Sequence, residues 1–308
     1  MNRVTIQACP LCGGTELERA LTCVDHYASG EAFDLCRCRT CGFLFTQDFP
    51  SEAEIGRYYD SPDYISHSDT RKGLMNAAYH WARAYMLGRK ARLVKEASHR
   101  QQGRLLDIGT GTGYFAHAMA GRGWQVDAVE TNAGARAFAK KHFGLDVWPD
   151  MAAAAKKEEA YDVITLWHVM EHLERLDETW ELLRRCLAPR GVLVAATPNA
   201  ASADARHYGA QWAAYDVPRH LWHFTPATMQ RMGAKHGFVL AGRYPMPLDA
   251  FYVSILTEKQ MGRRWAFARG LWAGALAWLE AWPAKDRSSS LIYVFRKGQE
   301  REAEGGRQ

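Results

Sequence analysis

Cysteines near the N-terminus occur in two short pairs. Cys9 and Cys12 form one C-x2-C pair followed by a glycine, and Cys38 and Cys41 form a second pair of the same kind. Such a turn lets two thiolates point at one ion, because the following glycine relieves strain as backbone NH groups turn toward sulfur. The doubled spacing predicts a zinc site held by four thiolates. Four thiolates fill a zinc tetrahedron and leave no position for water, so this zinc would be structural.

The other cysteines leave alternatives at this site. Cys36 is close enough in sequence to replace one of the four ligands, and four buried cysteines without a metal are the competing interpretation. Cys23 and Cys186 are expected to be ordinary core residues. A disulfide framework is not expected, because the first residues lack the apolar run of a signal peptide and the protein is predicted to be cytoplasmic, where thiols stay reduced.

A glycine-rich turn follows an apolar run in the centre of the chain. In LLDIGTGTGYF, the residues Gly109, Gly111 and Gly113 permit a sharp turn and a close approach of the backbone to a ligand. Glu130 lies about twenty residues further on, where a carboxylate can accept hydrogen bonds from both ribose hydroxyls. Together these residues predict a nucleoside-containing ligand.

Two alternatives compete for this turn. A dinucleotide-dependent oxidoreductase prefers G-x-G-x-x-G, whereas the third glycine here comes one residue early, and no arginine or lysine opens the next helix to hold a phosphate. A ligand without a pyrophosphate therefore fits better. The second alternative is a glycine turn that binds no ligand.

Polar residues that suit proton transfer gather in WHVMEH, at the predicted end of a strand. Histidine suits the role of a base because its ordinary pKa lies near neutrality. If a helix begins here, His168 and His172 share one face, one turn apart, and Glu171 lies between them in sequence. An active-site wall is favoured over half of a metal site. A buried, hydrogen-bonded His172 with a purely structural role remains an open alternative.

A second polar cluster occupies QWAAYDVPRHLWHFTP, between a predicted strand and a predicted helix. Its polar and aromatic members are Trp212, Tyr215, Asp216, Arg219, His220 and His223. Arg219 is expected to hold a carboxylate or phosphate of a substrate, and His220 is the first candidate for the general base, ahead of His168. The competing interpretation is a helix start with Thr225 as N-cap and Pro226 at the first helical position.

Short apolar runs alternate with helical patterns from Arg104 onward, which is typical of a parallel sheet covered by helices. The predicted strands are 104–108, 125–130, 145–148, 162–167, 192–197, 238–243 and 291–295. Helices are predicted to begin near Tyr114, Asn132, Met151 and Asp177, with further helices over 73–97 and 226–235.

These elements divide the chain into segments. We expect a zinc-binding module over 1–48, a helical lead-in over 49–100, an α/β domain over 101–298 with a substrate-lid insertion at 200–224, and a polar tail over 299–308.

Four segments resemble, in order, the motifs of class I S-adenosylmethionine-dependent methyltransferases: LLDIGTGTGYF, VETN, YDVITLWHVMEHL and GVLVAATPN. The resemblance is closest to the small-molecule group that includes the ubiquinone-biosynthesis O-methyltransferases, where the stretch after the fourth strand also ends in a Glu-His pair. The segment PRHLWHFTP resembles a motif of an uncharacterised bacterial methyltransferase subgroup. The resemblance implies a Rossmann-like seven-stranded α/β sheet whose final strand is antiparallel, with flanking helices.

The same resemblance implies roles for individual residues. Around the methionine part of S-adenosylmethionine it places Asp107, Gly109, Gly111 and Gly113, at the ribose Glu130, and at the adenine Asp150 with Met151. Trp167 and His168 would flank the cofactor near its methyl group. The polyalanine helix after Asp150 departs from the family's usual pattern, which weakens the adenine assignment.

Composition narrows the choice of partner. The chain has 308 residues and a formal net charge of +5, with basic residues scattered among acidic ones, which argues weakly for an anionic ligand and against nucleic acid. The segment RRWAFARGLWAGALAWLEAWP is too interrupted by charge to span a membrane. We expect a core-facing amphipathic helix there; the alternative is an interfacial helix that contacts a membrane peripherally or covers a lipid-like acceptor.

The predicted reaction is methyl transfer to a small-molecule acceptor, anionic or lipid-like, with O-methylation favoured. The runner-up is a C-methyltransferase that acts on a nucleotide sugar or a glycan or lipid precursor, and such enzymes also resemble this chain in having an N-terminal zinc module. A non-enzyme alternative is a cofactor-binding protein that uses the zinc module as an interaction platform. Nucleic-acid methylation is disfavoured, because the position of an N-P-P-Y type motif reads WHVMEH and no Pro-Cys pair occurs.

Overall fold

The N-terminal part of the chain forms antiparallel strands that surround the two cysteine pairs. In this computed structural model, which describes residues 2–59 and 74–298, the strands are β1 (Arg3–Val4), β2 (Leu17–Val24), β3 (Ala32–Cys38), β4 (Leu44–Thr46) and β5 (Phe49–Pro50). β1 pairs with β5, and β2, β3 and β4 pair in sequence order. Apolar side chains such as Phe33, Leu35 and Phe45 are buried, so this small sheet contributes to a core.

Most of the remaining strands form one seven-stranded sheet. The strands after residue 100 are β6 (Arg104–Ile108), β7 (Gln125–Val129), β8 (Val147–Trp148), β9 (Tyr161–Trp167), β10 (Leu187–Pro198), β11 (Trp222–His223), β12 (Phe238–Pro245) and β13 (Ser290–Lys297). The order in the large sheet is β12-β13-β10-β9-β6-β7-β8, and only β13 runs antiparallel to its neighbours. The predicted Rossmann-like fold with an antiparallel final strand is confirmed.

Helices cover both faces of this sheet. They are α1 (Leu74–Ser98), α2 (Tyr114–Ala120), α3 (Ala133–Phe143), α4 (Ala152–Ala155), α5 (Leu176–Cys186), α6 (Ala203–Tyr208), α7 (Pro226–Lys235), α8 (Asp249–Gln260) and α9 (Ala266–Ala281). Amphipathic spacing explains why α5 forms and where it packs, because Leu176, Trp180 and Leu183 lie on one face and are buried. α7 begins with the predicted Thr225 cap and Pro226 in the first turn.

The structure departs from the predicted elements where local sequence signals were weak. β8 has two residues in place of four, and α4 is a single turn after Met151. The strands of the N-terminal module and helix α8 were not predicted. Part of the predicted helical lead-in and the predicted polar tail lie outside the described residues.

β11 joins the two parts of the molecule. This two-residue strand lies within the segment predicted as a substrate lid, yet it pairs with β4 and extends the sheet of the N-terminal module, whose strand order is β11-β4-β3-β2. The lid segment and the cysteine-containing module therefore share backbone hydrogen bonds.

The expectation that the tryptophan-rich helix faces the core is wrong. α9 buries its small residues Gly270, Gly274, Ala277 and Ala281, while most of its large apolar side chains are exposed. The small residues let its backbone approach α8 closely, so the bulky stripe is left on the outside. Within the described residues, no helix is both long and apolar enough to cross a membrane.

Candidate functional site

The glycine turn after β6 has the conformation that the sequence required. Gly109, Gly111 and Gly113 all have positive φ, at 67°, 56° and 84°, a region that other residues rarely adopt. A Cβ on Gly109 would lie 2.3 Å from Cγ2 of Val169, so the turn also packs tightly against the segment that follows β9. A Cβ on Gly111 would meet no protein atom within 4 Å, so its need for glycine is conformational, and that side of the turn is open.

Acidic residues flank this turn at the strand ends. Asp107 is buried at the end of β6, where its Oδ1 accepts a 2.6 Å hydrogen bond from Thr165, while its Oδ2 has no hydrogen bond from the described residues. Burial raises the pKa of Asp107 to about 6, against the opposing effects of Thr165 and Lys90. Glu130 reaches the turn, because its carboxylate accepts hydrogen bonds from the backbone NH groups of Gly111 and Asn132, at 2.9 and 2.8 Å.

The residues assigned to the adenine lie at the next strand end. Glu130 follows β7, and its backbone NH donates to the carbonyl of Trp148 in β8, just before Asp150 and Met151. The Asp150 carboxylate is exposed and accepts a hydrogen bond from Ala152, and Met151 is half-buried. The structure thus brings the predicted cofactor residues of three adjacent strands to one edge of the sheet.

Trp167 and Lys90 form a wall beside the glycine turn. Trp167 ends β9, packs edge-on against Phe115, and carries Lys90 of α1 over its ring at 4.3 Å. Its buried Nε1 has no hydrogen-bond partner among the described residues. Burial lowers the pKa of Lys90, and the carboxylates of Asp107 and Asp249 oppose that shift. Lys90 is the basic residue of this wall, and sequence reasoning did not single it out.

His168 lies between two carboxylates. Its backbone has a φ of 59°, which is a strained conformation for a residue with a side chain, and its imidazole is one-third exposed. Nδ1 lies 3.4 Å from Glu171 and Nε2 lies 3.4 Å from Asp249. Burial disfavours the charged ring, but the two carboxylates outweigh it and raise the pKa of His168 to about 9. At neutral pH the ring is an imidazolium.

Glu171, His172 and His220 form a second, more deeply buried group. One nitrogen of each histidine and one oxygen of Glu171 lie within 4.8 Å of one another, and the two imidazole rings are 4.5 Å apart. Neither oxygen of Glu171 has a hydrogen-bond partner among the described residues. Burial and His220 lower the pKa of His172 to about 4, so His172 is neutral at pH 7. Two histidines and a carboxylate are also a donor set that suits a metal ion.

Backbone carbonyls fix the orientation of both His172 and His220. Nδ1 of His172 lies 3.0 Å from the carbonyl of Arg219, and Nδ1 of His220 lies 2.8 Å from the carbonyl of Ala214. Because a carbonyl only accepts, each Nδ1 carries a hydrogen. In a neutral ring, Nε2 is then the nitrogen that is left to accept a proton.

Arg219 does not have the predicted free guanidinium. It is 1% exposed and donates to Asp25 at 2.9 Å, to Asp216 at 2.6 to 3.1 Å and to the carbonyl of Tyr58 at 2.8 Å. With its donors directed at these internal acceptors, Arg219 anchors the segment and does not contact an acceptor molecule. The prediction that Arg219 holds a substrate carboxylate or phosphate is therefore not supported by its position, since its donors bind acceptors inside the protein.

The N-terminal module positions the segment that carries His220. Thr46 is buried, its hydroxyl donates to the carbonyl of His220 at 2.7 Å, and its NH donates to the carbonyl of Leu221 at 2.9 Å. Trp222 stacks on Phe43 of the module with ring centroids 6.2 Å apart. His223 is buried with Nε2 3.0 Å from the Thr46 hydroxyl, so it belongs to this junction.

The four predicted cysteines converge on one point. The sulfurs of Cys9 and Cys41, and those of Cys12 and Cys38, are 3.5 Å apart, and all four lie within 4.8 Å of one another without a disulfide. The glycines after the pairs, at positions 13 and 42, have positive φ, and their NH groups close both turns. Cys36 lies outside this cluster.

Sequence reasoning missed Asp249 and Lys90. Asp249 begins α8, which had no predicted counterpart, and Lys90 is one of five lysines and arginines on α1. Nothing in the local pattern of either residue separates it from a solvated surface charge. Tyr59, which lies 3.1 Å from Nδ1 of His172, was equally unmarked.

Comparison with known proteins gives one family match. The profile of a family described as a methyltransferase domain matches residues 80–241. No curated protein sequence matches the chain significantly.

Solved structures are similar at low sequence identity. Phosphoethanolamine N-methyltransferase 2 of Haemonchus contortus, in complex with S-adenosyl-L-methionine, is 17% identical with a TM-score of 0.51, and the match covers 83% of this chain and 63% of that one. A SAM-dependent methyltransferase from Archaeoglobus fulgidus is 20% identical with a TM-score of 0.46, covering 68% and 92%. The chain spans less than two thirds of the Haemonchus enzyme. At these identities, the likeness concerns the fold.

The ion pairs of His168 predict its titration. In the cofactor-free protein, its NMR titration midpoint should lie near pH 9. Asp249→Asn removes one carboxylate and should move the midpoint toward the ordinary value of about 6.5, whereas Asp146→Asn, at an exposed acid elsewhere, should not. The pKa of His168 is higher in the folded protein than in the unfolded chain. Its ion pairs therefore stabilise the fold fully below about pH 6.5, and this stabilisation is lost as pH rises through about 9. A midpoint near 6.5 in the unmutated protein would contradict this account.

Proposed function

We propose that this chain, which belongs to the methyltransferase domain family, is a class I S-adenosylmethionine-dependent enzyme that methylates an oxygen of a small-molecule acceptor beside His168. The observation that carries the proposal is the packing of the glycine turn on Val169, which follows His168. This contact puts the nucleoside cradle and a cluster of titratable side chains at one edge of the sheet.

The residues of the cradle suit the cofactor. Asp107 and the three glycines would hold the methionine part, Glu130 the ribose, and Asp150 with Met151 the adenine, while Trp167 walls the end near the methyl group. The unpartnered Oδ2 of Asp107 and Nε1 of Trp167 are polar atoms that a ligand can satisfy. When bound, S-adenosylmethionine supplies a methyl group activated by a sulfonium. The protein then has to align the acceptor and accept its proton.

Two histidines divide these tasks. His168 is exposed enough to touch an acceptor, and as an imidazolium it donates a hydrogen bond or holds an anionic group. His220 is the proposed base, because its Nδ1 is fixed by the carbonyl of Ala214 and its Nε2 is left to take a proton. Glu171, ionised and within ion-pair distance of His168, balances the positive charge. His172 supports His220 from the side.

The charge of His168 also favours a second candidate acceptor. A nucleotide sugar or a glycan or lipid precursor carries phosphate, which an imidazolium attracts, and its methylation on carbon would use the same base. The two proposals differ in which atom of the product gains the label.

We further propose that the four cysteine sulfurs hold a structural zinc ion. The four sulfur donors and their spacing suit zinc, and a site closed by four thiolates has no position for substrate. The ion would stabilise the sheet that pairs with β11 and so would act on the catalytic segment only through the fold.

Methyl transfer is tested with isotopically labelled S-adenosylmethionine and a fractionated cell lysate. His220→Gln should retain cofactor affinity in calorimetry and lose about 10²- to 10⁴-fold in transfer rate. His168→Gln should mainly raise the KM for the acceptor, and Asp107→Asn should weaken cofactor binding. His142→Gln, at an exposed histidine of α3, is the matched control.

Three results would contradict these assignments. Unchanged transfer by His220→Gln removes His220 as the base. Cofactor binding without transfer to any fraction supports a binding protein, and no binding by the folded, metal-replete protein refutes the cradle.

Zinc binding is tested by metal analysis of the purified chain. The unmutated protein should contain a single zinc ion per chain, Cys12→Ser should lose it and unfold at a lower temperature, and Cys36→Ser should keep it. Equal loss of zinc from both variants would show that Cys36 is a ligand and would overturn the four-cysteine assignment.

A further inference from the structure

Helix α9 presents a continuous apolar stripe to solvent. The large exposed side chains of α9 and of the residue at each of its ends, each 45 to 75% exposed, are Trp265, Phe267, Leu271, Trp272, Leu276, Leu279 and Trp282. From residue 267 to 279 they recur at helical spacing, so they lie along one side of the helix. Contiguous exposed apolar surface of this kind marks a site of interaction.

The stripe is held outward by the opposite face of the helix. A Cβ on Gly270 would lie 2.3 Å from the Cα of Ile255, and a Cβ on Gly274 would lie 2.7 Å from the Cα of Phe251. The backbone of α9 is thus in direct contact with α8, and only small residues fit between the two helices. α9 cannot rotate to bury its tryptophans without driving large side chains into that contact.

Basic residues flank the stripe. Lys259, Arg263 and Arg264 precede α9 and are exposed. None of the three forms an ion pair with another described residue. Lys285 follows the helix. Positive charge that no nearby acid neutralises therefore lies beside the start of the stripe.

The nearby acids are already paired. Glu258 lies 2.8 Å from Arg269, Glu280 contacts Arg206 and Arg287, and Asp286 lies 2.9 Å from Arg243. Across residues 258–287 the chain has six basic and three acidic residues. The acids contribute little free negative charge, so the patch as a whole is cationic.

We propose that this stripe docks on the surface of an anionic lipid bilayer, with α9 lying in the interface and not across it. Tryptophans at both ends of the helix, Trp265 and Trp282, have the amphipathic rings that favour the headgroup level. Basic groups beside an apolar face are what an anionic leaflet attracts. A second copy of the chain fits less well, because a two-fold contact would bring the uncompensated basic groups of both copies to one interface.

The docking helix is connected to the site. α8, on which α9 packs, begins with Asp249, and the next residue, Ala250, has its carbonyl against Gly274. Asp249 in turn contacts His168. The bilayer contact and the catalytic edge are therefore joined through one pair of helices.

Flotation of the full chain with lipid vesicles tests the proposal. Vesicles of phosphatidylcholine and phosphatidylglycerol should bind the protein, and binding should weaken in high salt and without the anionic lipid. The triple change Leu271→Gln, Trp272→Gln and Leu276→Gln should reduce binding more than tenfold, or about 1.4 kcal/mol. Arg263→Gln with Arg264→Gln should cost about fivefold per residue on anionic vesicles.

Controls separate docking from folding and self-association. Val239→Gln, at an exposed apolar residue of β12, should leave binding unchanged. Circular dichroism should show that the triple variant is folded, because the altered side chains are on the surface. Unchanged vesicle binding by the folded triple variant would overturn the proposal. The proposal would also be overturned if the unmutated protein did not bind vesicles and formed a dimer in light scattering that the triple change dissociated. None of these readouts depends on methyl transfer.

Discussion

Arg219 ties together three segments that are far apart in sequence. Its guanidinium is fully buried and pairs with Asp25 of the N-terminal module and with Asp216 of its own turn, while the carbonyl of Tyr58 accepts a third bond. Burial opposes ionisation of Asp25, but Arg219 outweighs it and lowers the pKa of that carboxyl. Breaking a buried pair of this kind leaves a charge without a partner, at a cost of about 3 to 5 kcal/mol. The geometry around it is therefore strongly fixed.

The proposed catalytic edge, where His168, His172 and His220 lie, depends on that junction. Residues 219–223 pass from the buried arginine to β11, and along this path the carbonyl of Arg219 orients His172, while His220 lies against it. The NH of Leu221 donates to the carbonyl of Glu171, so the segment is also fastened to the loop after β9. The cysteine-containing N-terminal module and the Rossmann-like domain thus build one candidate site together. Within the described residues, the module contributes no side chain to the glycine turn or its flanking acids, but it determines where His172 and His220 lie.

Local signals in the sequence were sufficient to predict the large sheet and the glycine turn with its flanking acids. A glycine turn after an apolar strand, an acid at the next strand end and a doubled cysteine pair each depend on neighbours close in sequence, and the structure brings together the residues they indicated. Arg219 was misassigned because its partner Asp25 is 194 residues away. Asp249 and Lys90 went unmarked for the same reason. α9 was misassigned because periodicity identifies two faces of a helix but not which one is buried, and here the glycine-alanine face packs more closely than the tryptophan face can.

Hydrogen exchange on Asp25→Asn is the sharpest test that the buried pair positions residues 219–223. The change removes the carboxylate of the N-terminal module that pairs with Arg219. We expect faster exchange of the backbone amides of residues 219–223 and of Thr46, while the amides of β6 in the central sheet keep their protection. Asp34→Asn, at a half-exposed acid of the same module, should leave these amides unchanged. Unchanged protection of residues 219–223 in Asp25→Asn would show that the buried pair does not position the catalytic segment.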